Sequence, residues 1–269
     1  MRPSKLAFVF FGVLAATVQA AEIRVPGDHA TIQAAIDVAV PGDVVLLGEE
    51  IYRENISLRP GVTVQGADPE KTTLRGDLGE GPVVRVPEKV TDCTLANLTI
   101  RGTGGVESED GYPSLIRVVE ATLTLRNCKV VDAPTDGMSV KTGGSVTIEG
   151  CTFEGCAAPA FWLESAPCSA TVRDSVFKGN QKAVSLYDGA TCTFERVTVE
   201  KCTSSGVALI GAGTSFVARD STFSRNDRDG ISILYKAKLD VRGCTMQGNK
   251  ENGINAQSGV ELNIEACTA

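Results

Sequence analysis

One short pattern recurs through the last two thirds of the chain, and it limits the possible folds more than any other feature. Alternating β-branched residues lead into a small or turn-prone residue, then Cys or Ser, then any residue, then Phe, Val or Met. The copies read LTLRNCKV, VTIEGCTF, ATVRDSVF, CTFERVTV, FVARDSTF and LDVRGCTM, with a last, truncated LNIEACTA. Aligned on the Cys/Ser column they fall at Cys128, Cys151, Ser175, Val197, Ser221, Cys244 and Cys267, in steps of 23, 24, 22, 24, 23 and 23 residues. A further copy around Leu98 lies 30 residues before Cys128, and the surplus is an insertion over 102–114.

A second half-motif follows each copy: a small residue, then apolar, any, apolar. It reads Gly137-Met138-Ser139-Val140, Ala160-Phe161-Trp162-Leu163 and Ala183-Val184-Ser185-Leu186, and continues at Gly206, Gly230 and Gly253. Alternation with period two marks short strands with one buried face. No stretch between them is long enough for a helix, which excludes leucine-rich and other helix-containing repeats. Three short strands per coil, repeated in register, stack parallel, and the result is an all-β parallel β-helix.

Two columns explain the bends and the interior. The residues before the Cys/Ser column are Asn97, Asn127, Gly150, Asp174, Arg196, Asp220, Gly243 and Ala266. Most are Asn, Asp or Gly, which tolerate the positive φ of a sharp turn. Two places after the Cys/Ser come Val130, Phe153, Phe177, Val199, Phe223 and Met246, read as an interior stack at the ~4.8 Å ladder spacing. Further on, Asn180, Asn226 and Asn249 are read as inward residues that hydrogen-bond from coil to coil.

The ends differ. Residues 1–20 have a basic start (Arg2, Lys5), an apolar run from Leu6 to Val18 and a small-residue cleavage site at Val18-Gln19-Ala20, so they read as a signal peptide. The mature chain, 21–269, is then one domain of a secreted, periplasmic or cell-surface protein, with no membrane contact after cleavage. Ile32, Ala35, Ile36 and Ala39 share a helical face behind Thr31, which predicts a capping helix over about 31–40. The C-terminal coil has no visible cap, and self-association through it is expected.

Composition trims the functional choices. The net charge is −7, and −9 without Arg2 and Lys5, so a nucleic-acid partner is not expected. The single His, His29, lies ahead of the expected capping helix and nearly excludes a Ser-His-Asp triad and any His-built metal site. Nine Cys cannot all pair within one chain, and neighbours such as Cys128/Cys151 and Cys244/Cys267 are read as free, buried thiols. No Cys-x-x-Cys exists, and no metal is assigned. The acids of Asp227-Arg228-Asp229 and of Glu107-Ser108-Glu109-Asp110 suit calcium by chemistry but form no ligand set.

The stretch TIQAAIDVAVPGDVVLL, followed by IYRENISLRPGVTVQGADPEKTTLRG, resembles the N-terminal region of the pectin lyase-like superfamily. That resemblance implies a right-handed coil. It also implies that the Gly/Ala-started strands line a glycan groove. The family's catalytic sets are incomplete here. Gln181-Lys182-Ala183-Val184-Ser185-Leu186 looks like one pectin methylesterase strand, but the Gln-Asp, Asp-Phe and Arg-x-Trp partners are absent. Pro134-Thr135-Asp136-Gly137 matches three of four polygalacturonase residues, without the later Asp-Asp and His. The clustered Asp ligands of a pectate lyase are not found.

On those strands the outward residues include Ser139 and Lys141, then Trp162 and Glu164, then Ser185 and Tyr187. Trp162, Tyr187, Lys141 and Glu164 are the candidate sugar-binding residues, because aromatic faces stack on pyranose C–H groups and flanking charges fix hydroxyls or carboxylates. The plainer alternative is that Trp162 packs under a neighbouring turn. Three readings stay open. The first is an exported protein that binds, and in a stronger form processes, polysaccharide. The second is an inert structural or adhesion solenoid. The third is a polyuronate lyase or pectin esterase with an atypical site. Whether any reaction is catalysed is left undecided by the sequence.

Overall fold

The structure is a computed structural model, and it describes residues 20–76, 81–102, 113–257 and 259–268. The signal-peptide reading for 1–20 and the acids of the 102–114 insertion therefore fall almost wholly outside the described residues. Within them the chain winds into three parallel sheets. Sheet A has eleven strands, from Glu22–Val25 to Glu261–Glu265. Sheet B has nine, from Ile51–Tyr52 to Thr245–Gln247. Sheet C has nine, from Ile56–Ser57 to Ile254–Ala256. Each coil visits A, then B, then C, and each strand pairs with its counterpart one coil on.

The register follows the repeat. Phe153 aligns with Phe177, and Phe177 with Val199. Phe153, Phe177 and Phe223 are fully buried. The rings of Phe153 and Phe177 stack with centroids 4.9 Å apart, and Phe177 continues onto Phe194 of sheet A at 5.5 Å. Each such ring contributes about 1.5–3 kcal/mol by leaving water. All eight residues of the turn column between sheets A and B take positive φ, including Arg196 at 54° and Ala266 at 52°. A second positive-φ column, Asp132, Gly155, Gly179, Lys201, Arg225 and Gly248, bends the chain after sheet B. The repeat pattern does not single it out, because Lys and Arg stand in it.

Bends leave backbone N–H groups without a ladder partner, and such groups must be paired when buried. Here several bends are completed by a side chain of the next coil. The N–H of Cys151 donates to Ser175 Oγ at 3.0 Å, and that of Val197 to Ser221 Oγ at 3.0 Å. The inward asparagines do the same at the second bend. Asn226 accepts from the Cys202 N–H at 3.0 Å, and Asn249 accepts from the Asn226 side chain at 2.9 Å.

The N-terminal helix, α1 (Ile32–Val38), is shorter than the expected 31–40, because the chain turns extended at Ala39. Thr31 caps it by accepting the Ala34 N–H. The Glu54 carboxylate adds a second cap, accepting from Ile32 and Gln33 at 2.9 and 3.1 Å. Ile32, Ala35 and Ile36 are buried. No helix among the described residues is long and apolar enough to cross a membrane. At the far end Leu262 and Ile264 remain 45% and 48% exposed.

All nine cysteines are free thiols, and eight are buried. Burial pushes the Cys93, Cys156 and Cys202 thiols up to about 12, so they behave as small hydrophobes.

Candidate functional site

The outer face of sheet C gathers polar and aromatic groups on three successive strands, Asp136–Lys141, Pro159–Glu164 and Lys182–Tyr187. Ser139, Trp162 and Ser185 share one column, and Lys141, Glu164 and Tyr187 the next. The four candidate residues are thus brought together. The Trp162 and Tyr187 rings stack with centroids 4.7 Å apart and planes 23° apart. Each ring gives one face to the other, so a ligand meets the outer faces and edges of a pair. Lys141 Nζ lies 3.6 Å from Glu164 Oε2, with only 12% of the lysine side chain exposed.

Two further residues belong to this face. Strict alternation places Asp136 and Lys182 inward, on the parity of Met138 and Val184. The alternation breaks at the start of these strands, although the pairing stays one-for-one. A Cβ added to Gly206 would meet the interior Val199 and Asn226 side chains, and Ala160 and Ala183 at the same position are fully buried. Two consecutive residues therefore point in, and the one before them turns out. That places Asp136 and Lys182 in one outer column with Ser114, Pro159, Ser205 and Asp229. The sequence offered the signal as a Gly or Ala at each strand start, but small residues there also fit a plain turn.

Their environments are unusual. Asp136 is 7% exposed, and burial pushes its carboxyl up to about 7, against the opposing pull of Lys141 and Lys182. Burial likewise pulls the Lys182 ammonium down, with Arg228 adding repulsion. Lys182 has no carboxylate within ion-pair distance among the described residues; it donates to Gln181 Oε1 at 3.2 Å. Burial raises the Tyr187 phenol, and the Ser185 hydroxyl opposes that shift. A carboxyl poised near neutrality can give or take a proton at physiological pH.

Other candidates do not join this face as reactive groups. Asp229 is buried and spent on the fold, accepting from Asn252 at 2.8 Å and Asn255 at 3.2 Å. Asp227 pairs with Lys250 at 2.8 Å. Among the described residues no group of three or more His, Cys, Asp or Glu is placed to hold a metal ion. A hollow of about 430 Å³ lies on sheet B, where Arg101 pairs with Asp132 and Lys178 with Glu154 at 3.0 Å, while Lys201 has no carboxylate within ion-pair distance among the described residues. The sheet C face is the better candidate because it adds a stacked aromatic pair and the raised Asp136 carboxyl.

These features define a right-handed parallel β-helix with a decorated third sheet. Residues 114–269 match the model of the family described as right handed beta helix region. The chain belongs to that family. No curated protein matches it. Among solved structures it is similar to the PL6 family alginate lyase AlyGC, at 17% identity and a TM-score of 0.65, over 99% of this chain and 41% of that one. The chain thus spans about two fifths of that enzyme's length. It is also similar to pectin methylesterase from carrot, at 12% identity and a TM-score of 0.56, covering 91% and 87%. A third likeness is to PfbA, a surface adhesin of Streptococcus pneumoniae, at 12% identity and a TM-score of 0.55, covering 89% and 79%. Identities this low are likenesses of fold.

Proposed function

We propose that the chain is an exported β-helix protein whose sheet C face binds a polysaccharide. The observation that carries this reading is the Trp162–Tyr187 stack flanked by the half-buried Lys141–Glu164 pair. Aromatic faces take the C–H side of a pyranose, and the flanking charges take its hydroxyls or carboxylate. Three of the structural likenesses, a lyase, an esterase and an adhesin, are named for alginate, pectin or a cell surface, which supports the reading by analogy of fold. Processing is the stronger form of the proposal. Asp136 is the proton donor or acceptor in it, and Lys182 steadies negative charge on the ligand.

A second reading is an inert adhesion or structural solenoid. It is favoured by the mutual stacking of the two rings, which also glues one coil to the next. A glycan array of residues 21–269, followed by reducing-end and unsaturated-product assays on each hit, separates the two. Binding with product formation supports processing, binding alone supports adhesion, and no binding removes the saccharide reading.

A further inference from the structure

Two polar side chains of the central column on sheet C, Ser139 and Asn255, are completed by the strand-start residue of the preceding coil. Ser139 Oγ lies 2.8 Å from Ser114 Oγ. Asn255 Nδ2 donates to Asp229 Oδ2 at 3.2 Å. Ser185 stands in the same column, aligned between Trp162 and Ala208. The strand-start residue before it is Pro159, whose side chain neither donates nor accepts. Ser185 is fully buried, and its Oγ has no hydrogen-bond partner. The Tyr187 phenol is near enough to feel that hydroxyl, yet no hydrogen bond of acceptable geometry closes between them. A buried hydroxyl left open costs stability, and an alanine in its place would not.

The open hydroxyl sits at the foot of the aromatic pair. Trp162 is its neighbour on the previous strand, and Tyr187 lies two residues further on the same face. This argument rests on the reading of sheet C as a saccharide site. We infer that Ser185 is a specificity-determining residue of that site, whose hydroxyl is completed by a hydroxyl of the bound sugar as the Trp162–Tyr187 pair shifts to admit it. A sugar hydroxyl both donates and accepts, as the serine does, so one contact satisfies both partners. Pro159 keeps the protein from closing the bond itself.

The test compares Ser185→Ala, Ser185→Thr and Trp162→Ala in the chain from residue 21. Thermal midpoints are measured, and binding of alginate and homogalacturonan tetrasaccharides is followed by calorimetry. Trp162 is the only tryptophan, so its emission reports movement of the pair in the serine variants. Ser185→Ala is expected to keep or raise the midpoint while weakening binding about five- to tenfold. Ser185→Thr keeps the hydroxyl and most of the affinity. A lowered midpoint in Ser185→Ala would mean the hydroxyl is bonded within the fold, and would overturn the inference. Binding lost in Trp162→Ala but kept in Ser185→Ala overturns it alone. No binding of either sugar by the unaltered chain overturns the saccharide reading for these ligands and this inference with it.

Discussion

Trp162 and Tyr187 sit on neighbouring coils with their ring centroids 4.7 Å apart, so one aromatic surface is shared between two strands. Trp162→Ala should weaken saccharide binding by about 1–3 kcal/mol, the range of a stacked aromatic anchor. The fold should survive, because the side chain lies outside the core. Calorimetry and far-ultraviolet circular dichroism check the two halves of this expectation. Unchanged affinity would assign the ring to inter-coil packing alone.

Asp136 predicts a pH dependence of opposite sign to the usual acid. Burial lifts its carboxyl from 3.8 to about 7 in the folded chain. Between those values the folded state holds a proton that the unfolded chain has released. The group's contribution is therefore full below about 3.8 and is lost as the pH rises through about 7. Asp136→Asn should flatten this fall and leave the chain more stable at pH 8, by up to about 4 kcal/mol. Urea midpoints at pH 5 and pH 8 measure it. A variant whose stability falls as steeply as the parent's would place the titrating group elsewhere.

The thiols should be silent. With Cys93, Cys156 and Cys202 pushed up to about 12 and eight of nine sulfurs buried, a thiol reagent at pH 8 should modify only the half-buried Cys267 quickly. The other eight should appear only in denaturant. Rapid labelling of Cys151 or Cys192 in the native chain would contradict the packing described here.

Asn180 links two coils through both ends of its amide. Oδ1 accepts the Cys156 N–H at 3.0 Å, and Nδ2 donates to the Phe153 carbonyl at 2.9 Å. Asn180→Ala orphans both buried groups and should cost about 1–3 kcal/mol for each. Asn180→Asp restores an acceptor but not the donor, and places a charge in the core, so it should not rescue. Chemical denaturation of the three proteins would show whether the amide is replaceable.

Much of this architecture is legible in the sequence because a solenoid repeats its physics. The Phe153–Phe177 stack, the turn column and the inward asparagines each appear several times, so chance matches average out. The site has no such help. Trp162 and Tyr187 are found by counting along strands, but Asp136 and Lys182 are displaced by a break in alternation at the strand start that a period of two cannot express. Ser185 looks like any outward serine until Pro159 is seen to occupy its partner's place. Glu54, the second cap of α1, lies 22 residues from the N–H it accepts, beyond any local motif.

The completion of a bend by the next coil's side chain, as at Cys151 and Val197, has a consequence for how such a chain can change length. A whole coil inserted between Val197 and Ser221 that carries a serine in this column would present an Oγ backward and an N–H forward, so that bend would close as before. A part of a coil would leave a bend open and swing every later side chain onto the wrong face. Growth and loss are thus quantised in coils. Asp136 through Tyr187 occupy three of them, so the remainder can lengthen or shorten without touching the decorated face.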